Sequence, residues 1–200
     1  MPTGGCFGSR GERDAIAVTD TLVIVGDDGI LARQASEIAR LLGQPFSLCD
    51  EVPREAQRIF VAVDDVDARE AIIASLPQAR LANLIHPRAW TSPDAELGKN
   101  VMVGANAIIG MNATVGDGVV ANALSSIEHD NVIGAHTFLG TGAILCGNVI
   151  TGERVFIGGG ATVKPGTSIG ARTTLGTGAV LVKDADPDSV YVGNPARRLG

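Results

Sequence analysis

A strict six-residue period runs through the second half of this 200-residue chain. Every sixth position from Leu97 to Leu181 (Leu97, Val103, Ile109, Val115 and onward) is aliphatic, apart from Ala121 and Thr151. The register holds over fifteen repeats, ten of them followed at once by Gly, and two positions earlier stands mostly Ala, Val, Ser or Thr. In such a repeat each hexapeptide makes one short strand and a turn, and three of them close a triangular coil of eighteen residues. The aliphatic residue fills the interior and the small one fits where the wall bends. Residues 85–200 are therefore expected to form a parallel β-helix of roughly five coils, stacked at strand spacing, about 4.7–4.9 Å.

Residues 21–84 follow another pattern. TLVIVG (21–26), FSLCD (46–50) and RIFVAVDD (58–65) read as strands. ILARQASEIARLLG (30–43) has helical spacing at Ile30, Ala35, Ile38, Leu41 and Leu42 and ends on a capping Gly43. VDAREAIIASL (66–76) reads as a second helix. Strands alternating with helices predict a small parallel α/β domain of about three strands. Residues 1–20 lack an apolar signal core and read as a flexible leader.

Composition narrows the function. Net charge is −6 and the only adjacent basic pair is Arg197-Arg198, which argues against nucleic acid as partner. Three widely separated cysteines without CxxC spacing argue against a zinc site or disulfide framework and for a reducing, cytoplasmic setting. No apolar run approaches the length of a membrane span. A β-helix this small has little core of its own, so threefold self-association along one face is expected, with ligand clefts between neighbours.

The stretch SSIEHDNVIG (125–134) interrupts the repeat with charge. Glu128, His129 and Asp130 follow interior Ile127, where the repeat otherwise has Gly and turn residues, so they belong outside the wall or at a corner. One coil later His129 is matched by Gly147, which has no side chain to obstruct a neighbour. An imidazole beside carboxylates suits a general base, since the carboxylate fixes its tautomer and stabilises the imidazolium. A solvated polar corner fits the spacing equally well.

Four segments carry a resemblance: IHPRAWTSPDAELG, VVANALSSIEHDNVIG, CGNVITGERVFIGGGATVKPG and DSVYVGNPARRL. Together they resemble the hexapeptide-repeat sugar acetyltransferases of the sialic-acid O-acetyltransferase and bacillosamine-pathway N-acetyltransferase type. The resemblance implies a left-handed β-helix that binds acetyl-CoA at a trimer interface, behind a Rossmann-like domain for a nucleotide-sugar. It implies His129 as general base, Asp130 as its acidic partner, Glu128 in the same motif and Asn122 near the acceptor. Gly147, Gly159 and Thr177 would face the pantetheine arm, and Asn194, in GNPAR (193–197), would lie near the adenine end. Gly26, Asp28, Gly29, Asp50, Glu51 and Arg69 would bind the acceptor. No metal is implied.

The chain departs from that family in its first loop. GDDGIL (26–31) stands in place of a glycine-rich turn, and Asp64 in place of a glycine; carboxylates beside a diphosphate repel it. Phe138 stands where relatives often carry a histidine, with His136 two residues out of register, and His86 reads as structural. A carbonic-anhydrase-like His₃ site is not available within one β-helix that offers only His129 and His136 after its entry turn. The alternatives left open are a non-catalytic scaffold and an acyltransferase for a non-sugar amine.

Overall fold

The computed structural model describes residues 7–8 and 21–200; the rest of the expected leader lies outside the described residues. The chain divides into two compact units, Met1–Pro87 and Arg88–Gly200.

The first unit contains strands β1 (Phe7–Gly8), β2 (Leu22–Val25), β3 (Phe46–Cys49) and β4 (Arg58–Val61), and helices α1 (Ile30–Leu41) and α2 (Val66–Ser75). The sheet order is β1-β3-β2-β4, with β3 and β4 both parallel to the central β2 and β1 antiparallel to β3. All four residues of β2 are buried, as expected of a parallel strand covered on both faces. The helix face differs from expectation. Leu31, Ala32, Ala35, Ile38 and Ala39 are buried, whereas Ile30, Leu41 and Leu42 are exposed. The stripe at 31, 35 and 38 keeps one face, and its alanines allow close packing; Ile30 and Leu41 project to its side. Gly43 takes a left-handed conformation (φ 63°) just past the helix, the terminating role expected of it. Cys146 is a free thiol.

The second unit is a β-solenoid. Its two-residue strands run from Trp90–Thr91 to Val180–Leu181, each paired in parallel with the strand eighteen residues away; Ser126↔Ile144 and Ile127↔Leu145 are one such register. With the closing strand Val190–Val192 they make about six turns, more than the five expected, because the strand at Trp90 precedes the first recognised repeat. Every hexad position from Val103 to Leu181 is buried, Ala121 and Thr151 included. So are the small residues two places earlier, among them Asn131, the one amide in that series.

Turn geometry repeats with the same period. Asn100, Asn106, Asn112, Leu124, Asp130, His136 and Asn148 all have φ between 55° and 62°, and Gly118 and Gly142 fill the same place in their turns. That left-handed conformation favours Gly and Asn, which explains the polar punctuation of the repeat. Among the described residues no helix is long and apolar enough to cross a membrane.

Candidate active site

The solenoid corner after strand Ser126–Ile127 carries the charged interruption. Asp130 takes the left-handed turn position (φ 57°), and its amide donates to Met111 in the preceding turn (2.9 Å), while the His129 carbonyl accepts from Asn148 in the next (3.0 Å). The corner is thus tied on both sides before its side chains are considered. His129 and Asp130 are half exposed, with Nδ1 to Oδ2 at 2.7 Å. The other Asp130 oxygen accepts from Asn112 Nδ2 at 3.1 Å. Hydrogen bonds from His129, first, and Asn112 hold the Asp130 carboxyl below its ordinary range, against a smaller opposing effect of desolvation. A carboxylate only accepts, so in the neutral imidazole Nδ1 carries the proton and Nε2 the lone pair.

Glu128 faces differently. Its Oε1 accepts from the Ser126 hydroxyl at 2.6 Å, so Glu128 is drawn to the strand beside it. The His129 ring lies against Gly147: a Cβ there would collide with its Cε1 and Nε2. Gly147 therefore leaves room for the imidazole itself, where the sequence suggested room for a ligand.

The remaining residues fall elsewhere. Gly159 and Thr177 are stacked eighteen residues apart above Thr141, on a corner different from that of His129 and Gly147. Asn122 occupies the place that Gly104, Gly140 and Gly158 fill in other turns of its column. Its side-chain oxygen accepts from Ala123 N–H (2.9 Å) and its carbonyl from the Ser125 hydroxyl (2.6 Å). Asn194 precedes a cis proline in a loop bonded back to Val180 through Gly193 and Ala196. A cavity of about 270 Å³ lies there, lined by Lys183, Asp184, Tyr191, Arg197 and Arg198 among others. Its basic side chains suit an anionic ligand end.

In the first unit, Gly26, Asp28 and Gly29 follow β2, Asp50 and Glu51 follow β3, and Asp64 follows β4, all at the carboxyl ends of parallel strands. Gly26 is required by close approach, since a Cβ would sit 2.7 Å from the Ala62 carbonyl oxygen. Asp28, Asp50 and Glu51 are exposed. Arg69 is 3% exposed and donates to the Val63 (2.7 Å) and Asp64 (3.3 Å) carbonyls. Burial lowers its pKa, and Asp64 and Asp65 oppose that. Asn112, Ser126 and Asp64 were not singled out as binding residues by the sequence; the eighteen-residue offset of Asn112 from Asp130 was the available signal for the first. Among the described residues, no group of three or more His, Cys, Asp or Glu is placed to hold a metal ion.

Comparison with known proteins agrees with this architecture. The family described as bacterial transferase hexapeptide (six repeats) matches residues 148–183, and the hexapeptide repeat of succinyl-transferase matches 95–123. No curated protein matches. Among solved structures, PerB from Caulobacter crescentus, in complex with CoA and GDP-perosamine, is 31% identical, with 92% of this chain and 99% of that one covered and a TM-score of 0.81. The acetyltransferase domain of PglB from Neisseria gonorrhoeae, in complex with acetyl coenzyme A, is 29% identical over 90% of this chain and 100% of that one, with a TM-score of 0.85. WeeI from Acinetobacter baumannii, at 20% identity, 90% and 100% coverage and a TM-score of 0.78, shares the fold. With PerB aligned over nearly its whole length, this chain belongs to the hexapeptide-repeat sugar acetyltransferases.

Proposed function

We propose that the protein transfers the acetyl group of acetyl-CoA to the amine of an amino sugar, with His129 as general base. The observation that carries this is the 2.7 Å contact between His129 Nδ1 and Asp130 on a half-exposed corner, which makes Nε2 the ring nitrogen left to take a proton. PerB and the PglB domain, held with CoA or acetyl-CoA, support the coenzyme. Structures of two variants of the Caulobacter crescentus perosamine N-acetyltransferase, with one histidine replaced by asparagine or alanine, support a histidine-dependent reaction.

The chemistry is direct transfer. The amine nitrogen adds to the thioester carbonyl while Nε2 takes its proton. Asp130 holds the ring and stabilises the imidazolium. The tetrahedral oxyanion, stabilised by a main-chain N–H such as that of Gly147, collapses by breaking the C–S bond. The thiolate leaves and regains the proton from His129. No acyl-enzyme forms, and Cys146 is not a nucleophile. Holding both substrates in one cleft supplies the proximity.

We place the coenzyme in a cleft between copies of a homotrimer, in the cytoplasm where that coenzyme is available. Gly159 and Thr177 lie on a different corner from His129, and packing between copies brings such corners together. In this reading the solenoid is left-handed, and the first unit is a Rossmann-like domain that binds the acceptor at the carboxyl ends of its strands.

Thermal melting with acetyl-CoA tests the reading. A coenzyme at a hundred times its dissociation constant adds about 2.7 kcal/mol to the native state. His129→Ala should keep that shift and lose turnover by about 10²–10⁴-fold. Melting that ignores the coenzyme sinks the acetyl transfer, and unchanged turnover removes His129 from the role of base.

A further inference from the structure

Ligands of open parallel sheets sit in the crevice beyond the carboxyl ends of the strands, where the strand order reverses, and phosphates sit on the N-terminus of the adjoining helix. Here β2 has β3 on one side and β4 on the other, which puts that crevice at the start of α1. The chain fills it with its own charge. Asp64, from the end of β4, accepts the Ile30 N–H on Oδ2 and the Leu31 N–H on Oδ1, both at 2.9 Å. Asp27 Oδ1 accepts the Gly29 N–H, also at 2.9 Å. Three successive amides at the head of the helix are thus taken by two carboxylates. They close tightly around the loop: a Cβ on Gly29 would stand 2.7 Å from both. Arg69 pins the Asp64 backbone through its bonds to the carbonyls of Val63 and Asp64 and is itself buried.

A nucleoside diphosphate bound in that crevice would use those same amides. To reach them it must expel Asp64, forfeit the helix-end attraction already satisfied, and remain beside Asp27 and Asp28. We infer that Asp64 is a specificity-determining residue that stands in for the phosphate, so that the amino-sugar acceptor carries no nucleoside diphosphate. This rests on the acetyl-transfer reading and names its substrate class. It separates the chain from PerB, which is held with GDP-perosamine.

Calorimetric titration of UDP and GDP into the full-length protein, without acetyl-CoA, tests it. Asp64→Gly frees the Ile30 and Leu31 amides and should bind at least one nucleotide about tenfold or more tighter than the unaltered protein. Asp64→Asn keeps the side-chain volume and one accepting oxygen but drops the charge, so it should fall between the two. If Asp64→Gly does not fold, Asp64→Asn alone decides by the same comparison. Equal affinity in variant and unaltered protein, whether tight or too weak to measure, overturns the inference, as does weaker binding by the variants. Because the readout is nucleotide binding, a failure of acetyl transfer does not imitate either result.

Discussion

The imidazole of His129 rests on the bare Cα of Gly147, one eighteen-residue turn further along the solenoid. The two residues lie on the same corner, and the absence of one side chain sets the position of the other. Gly147→Ala should therefore act on catalysis more than on folding. Gly147 has no positive φ, so an alanine there trims the freedom of the unfolded chain, worth about 0.4–1 kcal/mol, and this offsets the cost of displacing a half-exposed ring. Displacing a catalytic ring by about 1 Å costs roughly 10²-fold in turnover. Steady-state kinetics and melting, run side by side, should show kcat falling by that order with stability nearly unchanged. A variant with full kcat would detach the His129 position from Gly147.

Asp130 gives a prediction in pH. Its carboxyl is held below the ordinary range, chiefly by the His129 bond and then by Asn112. A depressed native value means that the stabilisation is present above the unfolded value, about 3.9, and disappears as pH falls through the native one. Asn112→Ala should raise the Asp130 titration midpoint part of the way and His129→Ala further, as read by carboxyl NMR. An unmoved midpoint in both variants would refute this account.

Replacing the same carboxylate addresses the tautomer. In Asp130→Asn an amide faces Nδ1 and can donate to it, which moves the ring proton to Nε2 and removes the lone pair that takes the substrate proton. Turnover should fall by about tenfold or more, with acetyl-CoA binding retained in the thermal-shift assay. Loss of coenzyme binding in step with turnover would instead make Asp130 part of the coenzyme site.

The sequence carried what depends on the period. Ile127 at the interior, Glu128 to Asp130 outside and Gly147 beside His129 all follow from counting in sixes and eighteens. The stacked rings of Phe138 and Phe156, 5.3 Å apart and 2° from parallel, obey the same count. What the period cannot show is which way a side chain turns. Glu128 and His129 are neighbours, yet one bonds Ser126 on the strand and the other Asp130 in the turn. Nor do local capping rules find the cap of α1, because its acceptor, Asp64, comes from 33 and 34 residues away, beyond the end of β4. Gly29 offers no side-chain acceptor of its own. The acids of the first loop could be read as hostile to phosphate, but not as the partners of the amides that phosphate would use.

Asn131 joins the site to the stability of the solenoid. It stands where the repeat has a small residue and is fully buried; its Oδ1 accepts the Val149 N–H at 2.6 Å and its Nδ2 donates to the Leu145 carbonyl at 3.1 Å. Val149 follows Asn148, whose amide bonds the His129 carbonyl, so the same short segment is fastened to the next turn twice. Asn131→Ala strands the Val149 N–H in the interior. The Leu145 carbonyl still accepts from Glu128 N–H, so the cost falls mainly on one buried donor, about 1–3 kcal/mol. Denaturant unfolding should show a lower midpoint with an unchanged slope. Asn131→Asp keeps an acceptor for Val149 but buries a charge without a cationic partner, so it should destabilise at neutral pH at least as much as alanine does. Should both variants unfold like the unaltered protein, the Asn131 side chain contributes nothing and the corner is held by its backbone alone.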